Sequence, residues 1–480
     1  MKTMNKKTYR RIVRRKMMEG FAFADLCYLA VNLPQEVNLY KFNGDFEGEI
    51  ACIDRLLEWT IPMALRKRLE IERVFAAGLQ MNYQTDDAAM LKGLRERYPQ
   101  ASQKTLDELI GMGNVDFIMK NGARYFENGA LSNIFLTHSD YLNSTFAKEQ
   151  EPASSDAEKP RDIRQEVCDL MQEEGGCAYR FEVEETLRVL PAFDRPGERI
   201  RLWFPYPVAC ATQSDIRLLS SSHPVQISDS SIRTAMIETA HVPETVYSVR
   251  FSYVNHAKYT VLNPDKVCGQ QPDMPAYLCE QYPHIRFTPY VRAVAKEIAG
   301  DEKNPLLLAR RVYDWIRDHV SYSYVRDYLY IENIPEFVML NGYGDCGTMA
   351  LVFITLCRCL GIPAKWQSGS AVRPDHIGSH DWAMFYIAPY GWLYCDPSYG
   401  NTSDPEKHAH YFGNLDPFRL VACNEFQVPF TPDKKYLRMD PYDNQSGEAE
   451  YATENLFFGQ LESRRRVISA QKVDFHDFEC

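Results

Sequence analysis

Between Tyr179 and Val189 the chain keeps a two-residue rhythm that no helix can use. Tyr179, Phe181, Val183, Leu187 and Val189 alternate with Arg180, Glu182, Glu184 and Arg188. Ile200, Leu202 and Phe204 repeat the pattern, as do Tyr247, Val249, Phe251 and Tyr253 against Ser248, Arg250 and Ser252. Successive side chains on a strand leave opposite faces, so period two with one polar face predicts half-buried antiparallel strands. Several such runs, with Pro205, Pro207, Pro224 and Pro243 marking turns, predict a β-sandwich-like domain over 167–284. Nothing in it suggests chemistry, so a scaffold or recognition role follows.

The flanks keep a different period. Over 1–146, Leu56, Leu57, Ile61, Leu65 and Leu69 recur at helical steps with charges between them, and strand-like alternation is absent. This predicts a helical region, an interaction or lid module. Ser102 before Thr105-Leu106-Asp107-Glu108 marks a helix start, and Gly111-Met112-Gly113 a helix end. Residues 147–166 hold one large apolar side chain, Ile163, and read as a linker or exposed loop. From 285 the helical period returns. Asn304-Pro305 serves as cap and first residue for a stripe of Leu308, Val312, Trp315, Ile316 and Val320. A core over 285–430 and a tail over 431–480 complete the division.

Composition narrows the classes. The 480 residues allow several domains, and 45% hydrophobic with 25% charged residues is ordinary for globular proteins. A net charge of −11 makes a poor general nucleic-acid binder, since phosphate attraction needs clustered positive charge. The basic start, Lys6-Lys7-Thr8-Tyr9-Arg10-Arg11, reads as a solvated helix face or tail. Glu19 and Asp25 interrupt the apolar run that an export signal would need, and no apolar window approaches the ~18 residues of a membrane span. The thirteen cysteines are scattered with no Cys-x-x-Cys pair, which predicts a reduced, cytoplasmic chain without a zinc knuckle. No nucleotide fingerprint and no calcium loop occurs, so no cofactor or metal is expected.

One cysteine needs a separate explanation. Asn341-Gly342-Tyr343-Gly344-Asp345-Cys346-Gly347 is a glycine turn followed by an apolar run without a helix breaker, closed by Gly361-Ile362-Pro363. Cys346 therefore falls in the first turn of a buried helix. Unpaired N–H groups and the helix dipole favour an anion there, which lowers a thiol's pKa and populates the nucleophilic thiolate. A thiolate nucleophile needs an imidazole to hold its proton and a carboxylate or amide to fix the imidazole's tautomer. His380 opens the strand-like run HDWAMFYI, and Trp392-Leu393-Tyr394-Cys395-Asp396 returns after Pro389-Tyr390-Gly391. A turn centred at Ala388 puts Asp396 opposite His380, whereas centring at Pro389 puts it opposite Trp382. Centring at Tyr390 misses by four residues, about 13 Å. The triad thus predicts a wide turn or bulge. His376 lies four residues before His380, but Gly378 and the strand argue against a helical metal pair. His408-Ala409-His410 reads as a solvated loop.

Gly344-Asp345-Cys346-Gly347, Leu360-Gly361-Ile362-Pro363-Ala364-Lys365, His380-Asp381-Trp382, Gly391-Trp392 and Asp396-Pro397 together resemble the core of the transglutaminase-like superfamily, which is similar in fold to papain-type cysteine proteases. The resemblance covers roughly 306–400. It implies an α+β, papain-like core with a nucleophile helix packed on an antiparallel sheet, with Cys346 as nucleophile, His380 as general base and acid, and Asp396 as orienter. The run Tyr411-Phe412-Gly413-Asn414-Leu415-Asp416-Pro417-Phe418-Arg419 is similar to a segment that follows the core in bacterial relatives. Met384 stands where family strands carry an acid. An oxyanion donor from Tyr322, Tyr324 or Tyr343 remains open beside the Cys346 backbone N–H. The implied function is acyl transfer on a peptide or protein substrate through a Cys346 thioester, with hydrolysis preferred. A transglutaminase using an amine acceptor, and a non-catalytic scaffold, are the alternatives.

Overall fold

The computed structural model describes residues 23–146, 162–268 and 272–478. The basic start and residues 147–161 of the predicted linker lie outside them. Residues 162–166 instead open a helix, Ile163–Glu174, whose cap is the Asp162 carboxylate. The chain divides into two units, 1–160 with 320–345, and 161–319 with 346–480.

The first unit is mostly helical. Ser102 and Thr105 form a reciprocal capping box at the start of Gln103–Gly111. The expected absence of strands fails at one place. Tyr83–Asp86, Ala123–Glu127 and Phe117–Lys120 form a three-stranded antiparallel sheet. Its hairpin turns on Asn121-Gly122, both at positive φ (52° and 78°). Asn-Gly is the pair that a tight two-residue hairpin favours, because both positions need the left-handed region. The segment 320–345 belongs to this unit. Glu332 meets Lys41 at 2.6 Å and Arg68 at 2.7 Å, and Arg326 pairs with Asp116 at 2.7 Å.

The second unit holds two β layers and the α+β core. Gly176–Val189 is flanked by Leu461–Val473 and Val246–Lys258, with Gln213–Ser221 beyond the latter. The facing sheet runs Asn455–Leu456, Glu448–Tyr451, Arg199–Pro205, Thr234–Ala240, Val225–Ile227. Phe181, Val183, Leu187, Ile200, Leu202, Phe204, Val249 and Phe251 share one buried core between the sheets, which is the sandwich that the alternation predicts. Glu185 also points inward, where a polar residue is not expected from the pattern. Residues beyond 431, expected as a tail, supply three of the sandwich strands.

The core sheet is antiparallel throughout, in the order Phe412–Gly413, Gly391–Cys395, His376–Ile387, Ala364–Arg373, Arg419–Cys423. The helix Cys346–Cys359 packs on it, with Phe353 edge-on to Phe385 at 5.5 Å. Pro305–His319 lies beside that helix, its start capped by the Asn304 carboxamide, which accepts from Leu306 N and Leu307 N.

Candidate active site

Two facts of sequence place Cys346. Gly342 ends the preceding helix in the left-handed region (φ 71°), and no helix breaker follows Gly347 until Gly361 closes the run at φ 80°. The helix is buried from Gly347 to Arg358, while Cys346, its first residue, is half-buried. Its Sγ donates to Oδ2 of Asp381 at 3.4 Å. Gln445 Nε2 donates to the other oxygen of that carboxylate. Arg465 fixes the frame around them, donating to the Gln445 carbonyl at 2.9 Å, to Ser370 Oγ at 2.9 Å and to Ser379 Oγ at 3.0 Å.

His380 and Asp396 meet at 2.7 Å, Nε2 to Oδ2. The route differs from the expected wide turn or bulge. Ile387 pairs with Gly391 and Ala383 with Cys395 in unbroken register, so the hairpin is centred on Pro389. Continuing that register sets Asp396 opposite Trp382, on the same face as His380 two residues away. A diagonal neighbour across a strand pair is within reach of a long side chain, so no bulge is needed.

Asp396 is fully buried and accepts four hydrogen bonds. Oδ2 also takes Arg419 Nη1 at 2.8 Å, while Oδ1 takes Ser398 Oγ and Tyr399 N, both at 2.9 Å. Burial alone would raise this carboxyl's pKa, but His380 and Arg419 beside it hold it far below the usual carboxylate range. Arg419 bridges onward to Asp416 at 2.8 Å, which also accepts from Tyr411 OH at 2.9 Å. The imidazole stacks on Tyr399 at 4.2 Å. Burial is the main influence on His380 and lowers its pKa; Asp396 pulls the other way and Arg419 adds to the lowering. The ring is therefore neutral near pH 7. With Nε2–H engaged by Asp396, Nδ1 carries the basic lone pair.

The structure thus brings His380 and Asp396 together and gives the Cys346 thiol a neighbour not predicted from sequence, Asp381. His380 and Asp381 are consecutive on one strand, so their side chains leave opposite faces. Asp381 lies on the face that carries Phe385 and the Cys346 helix, and His380 on the face with Trp382, Tyr399 and Arg419. Gln445, 64 residues from Asp381, had no local signal. Arg419 and Asp416 stand in the run Tyr411 to Arg419, which carried a resemblance but no assigned role. Tyr322, Tyr324 and Tyr343 all fall in the 320–345 segment of the first unit, where Tyr343 packs edge-on against Phe337 at 5.8 Å.

His408 and His410 are not a solvated loop. They sit in a short helix, Pro405–His410, and both are buried. His408 Nε2 meets Asp314 Oδ1 at 2.8 Å and its ring stacks on Tyr313 at 4.5 Å. Asp404 caps the helix through Glu406 N and Lys407 N. Among the described residues no group of three His, Cys, Asp or Glu is arranged to hold a metal ion. No helix among them is long and apolar enough to cross a membrane.

The family comparison covers this same region. Residues 292–397 match the core model of the transglutaminase-like superfamily. They are a transglutaminase-like domain. An uncharacterized protein of Haemophilus influenzae is 28% identical over 160 residues, which is 28% of this chain and 42% of that protein. The uncharacterized protein YebA of Bacillus subtilis is 22% identical over 132 residues, 24% of this chain and 18% of YebA. The chain therefore spans less than half the length of either relative. Among solved structures, a protein of Cytophaga hutchinsonii described as a proposed cysteine protease superposes with a TM-score of 0.36 at 15% identity, covering 62% of this chain and 90% of that one.

Proposed function

We propose that the transglutaminase-like domain is a thiol-dependent acyl-transfer enzyme acting on peptide or amide bonds. The observation that carries this reading is the His380–Asp396 pair, a neutral imidazole with a fixed tautomer, one residue from the carboxylate that touches the thiol of Cys346. For Cys346 to attack the carbonyl, its proton must leave the strand face that carries Asp381 and reach His380 Nδ1 on the other. His380 then protonates the departing amine and activates the second acceptor. Asp396 keeps Nε2–H oriented and stabilises the imidazolium, helped by the three other contacts that pin its carboxylate. Water is the preferred acceptor, giving a cysteine peptidase or amidase; an amine would give a transglutaminase. The twelve cysteines described are all free thiols, which favours a reducing compartment such as the cytoplasm.

One observation favours a second reading. His380 is 4% exposed and sandwiched between Tyr399 and the Asp396–Arg419 pair on the face away from Asp381. On that reading the imidazole is part of a buried ionic brace and the domain serves as a binding scaffold. A glutaminyl peptide supplied with and without a primary amine, with the products weighed by mass spectrometry, separates the cases. Hydrolysis or amine incorporation that disappears in Cys346→Ser supports the enzyme. Absence of both in a chain that circular dichroism shows to be folded supports the scaffold.

A further inference from the structure

The contact that the family resemblance does not anticipate is the one between Cys346 and Asp381. Three observations set it apart from a chance approach. The carboxylate is buried, 3% exposed, in a position of the strand where its alternation faces the Cys346 helix. One oxygen accepts a hydrogen bond from the thiol at 3.4 Å and the other is held by Gln445, so both are committed to a fixed orientation. Gln445 is itself anchored through its carbonyl to Arg465, which also grips Ser370 and Ser379 on the two strands of the hairpin.

We infer that Asp381 is the positioning residue of the Cys346 thiol, holding it protonated and aimed in the resting protein and thereby setting the pH at which the thiolate appears. The inference rests on the reading of Cys346 as a nucleophile. A carboxylate accepting an S–H bond favours the neutral thiol twice over, by the hydrogen bond and by repulsion of the thiolate. It opposes the acidifying effect of the helix start.

The other charged groups around the pair do not replace Asp381. Asp443, in the loop that carries Gln445, is pushed up to about 8 by burial and by Asp381, so it is neutral at pH 7. Asp440 beside it is likewise raised, by burial and by Asp443. Asp345, the residue before Cys346, accepts from the Tyr328 hydroxyl. Arg465 reaches the site only through the Gln445 carbonyl and the two serines, and His380 lies on the opposite face of the strand. Asp381 is the carboxylate in hydrogen-bond contact with the sulfur.

The test is iodoacetamide labelling of the full chain from pH 5 to 10, with the Cys346 peptide quantified by mass spectrometry. Asp381→Asn removes the charge at constant shape. Its labelling midpoint falls by at least one pH unit, so that at pH 7 Cys346 labels at least tenfold faster than in the parent chain. Asp381→Glu, which restores the charge, tracks the parent within threefold. Asp381→Ala, which removes the carboxylate altogether, shifts the midpoint in the same direction as Asp381→Asn and keeps the test decisive should that variant fail to fold. Superimposable profiles for parent and Asp381→Asn overturn the inference. Slower labelling in Asp381→Asn also overturns it, since Asp381 would then be withdrawing the proton. The labelling needs no turnover, so loss of peptide cleavage in every assay would refute the acyl-transfer reading while leaving this comparison intact.

Discussion

Glu185 offers the sharpest quantitative test of how this molecule is assembled. It stands on the inward face of Gly176–Val189, between Val183 and Leu187, and burial pushes its pKa up to about 8 against a partial lowering by Arg465. The native protein therefore holds a proton on Glu185 at pH 7 that the unfolded chain, near 4.5, has released. A proton bound more tightly by the folded state means that stability falls as pH rises through the interval between the two values. Each unit is worth about 1.4 kcal/mol, so the penalty grows from under about 1 kcal/mol at pH 5 to about 3 kcal/mol at pH 7, and levels off above pH 8. Glu185→Gln copies the protonated shape and removes the titration. Urea unfolding of parent and variant, followed by circular dichroism at pH 5 and pH 8, should show near-equal stability at the lower pH. At the higher pH the variant should be more stable by at least about 2 kcal/mol. A difference that stays constant with pH, or a variant relatively weaker at pH 8, would refute the assignment of a buried, protonated carboxyl.

Other outcomes follow from the same contacts. Arg419→Met leaves Asp396 and Asp416 buried without their shared cation, at a cost of about 3–5 kcal/mol in thermal or denaturant melts, and the loss shrinks in acid as the carboxyls take up protons. Gly369→Ala puts a Cβ 2.1 Å from the Leu420 carbonyl, so the pairing with Arg419–Cys423 must open and stability drops by at least about 2 kcal/mol in the same melts. If His380 is the base, its lowered pKa places the acid limb of kcat/KM below pH 6.5; a limb above 6.5 would contradict the buried neutral imidazole. His380→Ala should cut peptide turnover by at least about 100-fold if the ring acts as base.

What the amino-acid pattern revealed and what it hid divide along physical lines. Alternation from Tyr179 to Val189 and from Tyr247 to Tyr253 was sufficient to place sandwich strands, because a half-buried strand writes its inside and outside into adjacent residues. The Asn304 cap and the helix beginning at Cys346 were equally legible, since turn and cap chemistry is local. The Asn121-Gly122 hairpin was legible too and was masked by helical neighbours on both sides. The His380–Asp396 distance was not, because it depends on which residue centres a turn and on a diagonal reach that counting along the ladder does not include. Asp381 with Gln445, and Arg419 with Asp396, are contacts between residues 64 and 23 positions apart. Nothing in their own surroundings marks such pairs. The inward turn of His408 depends on Asp314, from a helix nearly a hundred residues earlier.

The two-residue turn Pro374-Asp375 joins the strands Ala364–Arg373 and His376–Ile387, with Arg373 paired to His376. Because a shift of one residue exchanges the two faces of a strand, this short turn is what assigns the acid and the base to their sides. Inserting a single residue there would bring the His380 imidazole to the cysteine and Ser379 to Asp396, whereas deleting one would bring Trp382 to the cysteine and the Asp381 carboxylate to Asp396. The identity of the group beside the sulfur is thus an arithmetic property of loop length, open to change by one codon's gain or loss without altering any residue of the site.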